Sequence, residues 1–340
     1  MSSNPKITVL MPVYNCELYI KEAIESVLNQ TFSNFEFIII DDASSDSTVS
    51  IIKTYEDPRI QLIVKPQNSG YTNSLNYGLD IAKGEYIARM DGDDISLLER
   101  FEKQVTLLDK NPEIVLCGSN YNIIGKNKVV TLPEKNKDIK LTLLKGNCIA
   151  HPSVMMRNIV IKKKKLLYNV KAEPAEDYDF WVQLLENGDF YNFQETLLDY
   201  RVHNTQVSQK RKTQQLQSSL KTRLKMLQYL DYSFEAKEYD LLKKTIDETI
   251  SLTFNEIKEF FVLKRKMIWA NSNHFFDTNG FEDYLTDLQN QNLIKYFVSR
   301  ERYHPILLYH YWLLKKEHDF NLVVFDKIKL IIKSIVFYRP

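Results

Sequence analysis

Two apolar runs early in the chain end in acids, and that arrangement limits the fold more than any other feature. Phe35–Ile40 (FEFIII) runs into Asp41-Asp42, and Glu85–Met90 (EYIARM) runs into Asp91, Asp93 and Asp94 of MDGDD. Two further short β-branched runs, Ile7–Val13 (ITVLMPV) and Ile60–Val64, read as strands. Helical patterns separate them. Glu17–Gln30 places Ile20, Ala23, Ile24, Val27 and Leu28 on one side, Ser47–Tyr55 follows the second strand, and Thr72–Ala82 is closed by Gly84. Strand, helix, strand at this spacing requires right-handed crossovers, so the expected architecture is α/β: a mostly parallel sheet with helices on both faces. Ligands of such sheets bind beyond the carboxyl ends of the strands, which is where the acids fall.

Several like charges on one rim repel unless a divalent cation or a basic ligand sits among them. Mg²⁺ or Mn²⁺ takes oxygen ligands and is commonly completed by substrate phosphates, so D-x-D at a strand end points to a phosphate-bearing substrate. DGD is also ordinary turn chemistry, and the motif alone does not choose. The first strand-to-helix turn, PVYNCE, lacks GxGxxG, and no GxxxxGK[ST] is present, which argues against dehydrogenases and P-loop kinases. A nucleotide base could still stack on Tyr14 or lie against Pro12-Val13, with Asp41 accepting bonds from base or ribose.

The pattern changes after MDGDD. Ile114–Ile124, the turn GKNK and Val129–Leu132 read as a hairpin. A helix around Lys137–Leu144, a strand near Ser153–Met156, a helix over Tyr178–Glu186 and a last strand near Leu197–Val202 follow. Beyond residue 210 the texture is helical, with Gly280 its single glycine. The expected domains are therefore residues 1–210, catalytic, and 211–340, helical. Charge divides in the same place. From residue 210 on there are 22 Lys and Arg against 16 Asp and Glu, whereas the preceding residues carry 23 against 28. An acidic first part suits metal binding and catalysis, and a basic second part suits an anionic surface.

Hydrophobic residues at 44% and charged residues at 26% exclude a disordered or collagen-like chain. Cys16, Cys117 and Cys148 form no CxxC pair, so neither a disulfide scaffold nor a thiolate zinc site is supported. The chain opens without a secretory pattern and contains no apolar stretch of the roughly 18 residues that spanning a bilayer requires. The expected location is cytoplasmic, free or peripheral on the inner face of the membrane.

Six segments in order carry a resemblance: MPVYN (Met11–Asn15), DDASSDST (Asp41–Thr48), NSGYTNSLNYGL (Asn68–Leu79), EYIARMDGDD (Glu85–Asp94), HPS (His151–Ser153) and AEDYDFW (Ala175–Trp181). Together they resemble the motif series of family 2 inverting glycosyltransferases over about residues 6–208. With YRVHNTQVS (Tyr200–Ser208), they look most like bacterial lipooligosaccharide β-1,3-N-acetylglucosaminyltransferases and O-antigen or capsule enzymes. The resemblance implies the GT-A fold, a UDP-sugar donor, Mn²⁺ or Mg²⁺, and a glycan acceptor, free or lipid-linked; it implies no nucleic-acid partner. It further implies that Pro12, Val13, Tyr14 and Asp41 contact the uridine end, that Asn68 and Gly70 line the nucleotide pocket, and that Asp91 meets ribose or metal. Asp93 would ligate the metal, His203 would add a metal or diphosphate contact, and Asp177 would be the catalytic base.

Inverting transfer needs one carboxylate to take the acceptor's proton and a cation to stabilise the departing diphosphate. Plainer roles compete. Asp177 and Asp179 suit the first turn of a helix, His151 and His203 suit ordinary hydrogen bonding, Lys162–Lys165 suits a solvated loop, and Arg89 and Arg100 flank the acids as partial neutralisers. Phe320–Tyr338 patterns as an amphipathic helix with lysines on its polar arc. That pattern fits a membrane interface and also fits packing against the catalytic domain or a second subunit as a homodimer. The alternative functions are a catalytically silent GT-A-like glycan-binding or assembly module, which predicts gaps among the acids, and a nucleotidyltransferase, whose glycine- and arginine-rich opening loop is missing.

Overall fold

The computed structural model describes residues 5–126, 128–203, 206, 211–299, 302–318 and 322–337. Asn127 of the GKNK turn, Asn204, Thr205, Val207 and Ser208 of YRVHNTQVS, and Phe320, Asn321 and Tyr338 of the C-terminal pattern lie outside them. The chain forms two compact units, Met1–Met226 and Leu227–Pro340.

In the first unit β1 (Ile7–Val13), β2 (Phe35–Asp41), β3 (Ile60–Val64) and β4 (Tyr86–Arg89) alternate with α1 (Ile20–Leu28), α2 (Thr48–Ile52) and α3 (Tyr71–Ile81). All seven residues of β1 are buried, as a strand covered on both faces requires. It lies parallel to β2 on one side, with Val13 opposite Asp41, and parallel to β4 on the other, with Leu10 opposite Arg89. The chain steps outward from β1 to β2 and β3, then crosses back to β4, so β1 is the switch point whose carboxyl end opens a crevice. Helix α1 buries Ile20, Ala23, Ile24 and Val27, one face at helical spacing. Truncating one of its buried isoleucines to alanine would cost about 2–5 kcal/mol.

The rest of the unit comprises β5 (Ile95–Ser96), α4 (Arg100–Lys110), β6 (Ile114–Ile123), β7 (Val129–Val130), α5 (Asn136–Leu143), β8 (Met155–Arg157), α6 (Asn158–Lys164), α7 (Glu176–Leu184), β9 (Asp189–Tyr200) and α8 (Lys212–Met226). The sheet order is β3-β2-β1-β4-β8-β6-β9-β5, with β7 on β6. The sheet is mixed: β6 and β9 run parallel, while β8 is antiparallel to both β4 and β6, and β5 is antiparallel to β9.

Three elements were not legible in the sequence pattern. Strand β5 is two residues long. Helix α4 turns Arg100 and Gln104 inward beside Phe101, Val105 and Leu108, which breaks the apolar stripe. The Lys162–Lys165 run is not a loop: Lys162 to Lys164 form the last turn of α6, and Lys162 donates to the carbonyl of Asp80.

In the second unit the described residues are helical: α9 (Ala236–Ile246), α10 (Phe254–Ala270), α11 (Thr278–Phe297), α12 (Ile306–His318) and α13 (Val324–Ile335). Capping boxes at Glu235/Glu238 and Thr253/Glu256 set the starts of α9 and α10. Leu242, Leu285, Leu293, Phe297 and Leu314 are fully buried in its core. Among the described residues no helix is long and apolar enough to cross a membrane.

Candidate active site

Two loops at the carboxyl ends of β1 and β2 are clipped together by their own side chains. Asn15, at a left-handed φ of 52°, accepts from the Ser45 amide at 2.9 Å, and its own amide donates to Ser44 Oγ at 2.9 Å. Cys16 N donates to Thr48 Oγ1 at 2.8 Å and Glu17 N to Asp46 Oδ2 at 3.1 Å. Most of DDASSDST is thus clamp. Pro12 and Val13 are buried in β1, whereas the Tyr14 ring is 48% exposed, free to lie against a planar ligand. Asp41 is fully buried. Its Oδ2 accepts from the Ser44 amide at 2.9 Å, and Oδ1 has no hydrogen-bond partner among the described residues. An unpaired buried carboxylate oxygen is costly unless a ligand donor meets it.

Asp42, to which the sequence reading gave no role, builds the next wall. It accepts from Lys65 Nζ at 2.6 Å and from the amides of Ser69 at 3.1 Å and Gly70 at 2.8 Å. Burial alone would raise its carboxyl, but these bonds outweigh burial and hold it below the usual carboxylate range. Gly70 sits at φ +92°, where a side chain would be strained. Asn68 Oδ1 accepts from the Gly70 amide at 3.1 Å, so the two residues expected along the nucleotide pocket form one turn anchored on Asp42.

The loop after β4 gathers the acids. Asp91, Asp93 and Asp94 each offer an oxygen within 4.8 Å of the others, the one such group among the described residues. Beneath them the buried Arg89 guanidinium is ion-paired with Asp91. Asp93 Oδ2 lies 2.8 Å from His203 Nε2. Asp94 Oδ1 accepts from the Arg201 amide at 2.8 Å, and its buried Oδ2 has no hydrogen-bond partner among the described residues. Burial, then the charge of Asp91, pushes Asp93 up against the opposing pull of His203; burial, Asp91 and Asp93 push Asp94 well up. An all-oxygen set with an imidazole beside it, an unpaired buried oxygen and mutual repulsion fit a hard divalent cation. Asp91, Asp93 and Asp94 are the residues that could hold it, with the His203 imidazole expected from the sequence standing against Asp93.

Arg201 was missed by the sequence reading although YRVHN contains it. Its Nε donates to the Asp93 carbonyl at 2.8 Å and Nη2 to Glu22 Oε2 at 2.5 Å, and the guanidinium stands 4.6 Å from the Tyr19 ring. It fixes the MDGDD loop from the end of β9. Arg100 is not a neutraliser: its buried guanidinium donates to Gln104 Oε1 and to the carbonyls of Arg89 and Val154. Burial lowers it to about 9.

Asp177 stands in the first turn of α7, which starts at Glu176 rather than Tyr178. Its Oδ2 accepts from Asn147 Nδ2 at 2.8 Å and Oδ1 from the Tyr178 amide at 2.7 Å, and burial chiefly raises it to about 6. Neighbouring Glu176 is raised to about 8 by burial and by the Asp177 charge. The Arg89 charge opposes the rise at Asp177 and at Asp93, so Asp177 and the acid cluster feel one buried cation. Asp179 has a structural partner instead, accepting from Lys225 Nζ of α8 at 2.9 Å. His151 is buried, 3.0 Å from Tyr168 Oη and edge-on to Trp181; burial and Arg89 push its imidazole well down, as befits a neutral packing residue.

A crevice beyond β1 and β4 rimmed by acids, on a sheet of this strand order, fits a glycosyltransferase of the GT-A type. Residues 8–165 match the model of glycosyl transferase family 2. The O-antigen biosynthesis glycosyltransferase WbnJ of Escherichia coli is 33% identical over 264 residues, covering 74% of this chain and 95% of that protein. The chain belongs to glycosyltransferase family 2. In fold it is similar to residues 1–349 of TarS from S. aureus in complex with UDP (TM-score 0.56, 16% identity, 94% of each chain). It is also similar to the mannosyltransferase PcManGT of Pyrobaculum calidifontis in complex with GDP-Man and Mn²⁺ (TM-score 0.53, 15% identity, 86% of this chain and 88% of that one).

Proposed function

We propose that this enzyme transfers a sugar, with N-acetylglucosamine or galactose favoured, from a UDP donor to a hydroxyl of a bacterial surface glycan, with inversion and with a divalent cation. Four lines support the reading: the family, the O-antigen role of WbnJ, the UDP held by TarS on the same fold, and the Mn²⁺ held by PcManGT. What carries it within this chain is Arg89, a single buried cation paired to Asp91 and acting on Asp177, so that the acid cluster and the base serve one crevice.

Tyr14 stacks on the uracil, Pro12 and Val13 form the floor beneath it, and Asp41 Oδ1 accepts a hydrogen bond from its imide N–H. Asn68 and Gly70 line the ribose side. Asp91, Asp93 and His203 would hold Mn²⁺ or Mg²⁺, which when bound would offset the charge of the departing diphosphate. The acceptor hydroxyl oxygen bonds to the anomeric carbon while the bond from that carbon to the diphosphate oxygen breaks, its electron pair leaving with UDP. Asp177 takes the hydroxyl proton, its carboxylate held in aim by Asn147. An α-linked donor then gives a β-linked product. General-base help of this kind is worth roughly 10² to 10⁴ in rate. The acceptor is a glycan, lipid-linked at the cytoplasmic membrane face. A screen of UDP-sugars, measuring acceptor-dependent UDP release with Mn²⁺ present, tests the reading. Release from at least one donor is expected, and pyrophosphate release or no turnover with any donor would overturn it.

A further inference from the structure

The last described helix carries its apolar face outward. In α13, Val324, Ile328, Ile331, Ile332 and Ile335 follow helical spacing and are all exposed, with Phe325, Val336 and Phe337 extending the stripe at both ends. The opposite face is the one that packs: Leu330 and Ser334 are buried, and Asp326, the only acid of the helix, shares that side at i, i+4, i+8 spacing. Lys327 and Lys329 border the stripe on either side. Lys333 turns back over the Tyr303 ring, 4.9 Å from its centroid. Helix α12 packs beside α13 and exposes Tyr309 and Trp312, each 54%, together with Lys315 and Lys316.

From this placement we propose that α13 is an interfacial helix that docks on an anionic phospholipid bilayer, its isoleucine stripe entering the headgroup boundary and its flanking lysines meeting the lipid phosphates. With Val323 just before the helix, nine exposed apolar residues in a segment this short exceed what a solvated surface carries. Charge selects the occupant. Two-fold pairing of the stripe with a second copy would set the lysine borders of one helix near those of the other, whereas an anionic surface complements them. The aromatics at the ends of the stripe and on α12 match residues that settle at the boundary between headgroup and acyl chain. With an apolar stripe, flanking lysines and too little apolar length to span, the helix lies on a bilayer.

Co-sedimentation of the full chain with vesicles of phosphatidylcholine, with and without phosphatidylglycerol, tests this, alongside light scattering of the protein alone. The wild type is expected to pellet with the anionic vesicles and to be released by salt. Ile328→Asn/Ile332→Asn changes only exposed positions and is expected to lose binding at least tenfold with the circular dichroism of the helices retained. Lys327→Gln/Lys329→Gln is expected to weaken binding to anionic vesicles roughly 30-fold. Wild type left in the supernatant with both vesicles overturns the proposal, as does a dimer that the isoleucine variant dissociates without any vesicle binding.

Discussion

Tyr71 Oη donates a 2.5 Å hydrogen bond to Glu176 Oε2, joining the first turn of α3 to the first turn of α7. The phenol steadies a buried carboxyl next to the proposed base. Burial and the charges of Glu176, Glu173 and Asp177 push the phenol itself far above its ordinary range.

Glu176, raised to about 8 from 4.5, binds its proton more tightly folded than unfolded. Its contribution to stability is therefore complete below about pH 4.5 and is lost as pH rises through about 8. Glu176→Gln should flatten that decline in urea unfolding measured from about pH 5 to about pH 9. An unchanged slope would show that another group controls it. Tyr71→Phe leaves the carboxyl unpaired and should cost about 1–3 kcal/mol.

Asp177 must be ionised to accept a proton. With its value near 6, kcat/KM should fall as pH drops below about 6. Asp177→Asn should lose roughly 10²- to 10⁴-fold in turnover while UDP titration shows near wild-type affinity. Wild-type turnover in this variant would remove the base assignment.

Asp93→Ala should abolish Mn²⁺-dependent UDP binding by calorimetry, and chelation should do the same to the wild type. Arg201→Ala withdraws the side-chain bonds to the Asp93 carbonyl and Glu22 without touching a ligand oxygen. It should raise the Mn²⁺ needed for half activity by about 10- to 100-fold, the usual cost of an outer-shell partner, with kcat restored at saturating metal. A fall in kcat at saturating Mn²⁺ would assign Arg201 another role.

Asp42→Ala leaves Lys65 and two amides without their acceptor and should cost about 2–4 kcal/mol in urea unfolding. The folded carboxyl is depressed, so its contribution is present above about pH 4 and is lost as pH falls through the lower folded value. Equal stability of variant and wild type at neutral pH would mean that the Ser69–Gly70 turn holds itself.

Much of the fold is local and could be read in advance. β1 and β3 have the bounds their β-branched runs suggest, and β2 and α1 differ by a few residues at the ends. β9 was under-read: it begins at Asp189, because Tyr191 and Phe193 alternate with the buried polar Asn192 rather than with a clear apolar face. The acids at strand ends were legible for the same reason as the strands, since a carboxylate following a buried run has nowhere to go but the rim.

Sequence by itself determined which residue types reach the rim of the sheet, through strand periodicity and acids placed one residue beyond apolar runs. Only the tertiary structure decided their partners: Asp42 to the Gly70 turn, His203 to Asp93, Arg201 to the MDGDD loop and Tyr71 to Glu176. Those pairings join segments far apart in the chain, and hydrogen bonding depends on distance and direction in space, which the spacing of residues along a sequence does not encode. The outward apolar face of α13 belongs to the same class: helical spacing drew the stripe, and packing of Leu330 and Ser334 chose which side met water.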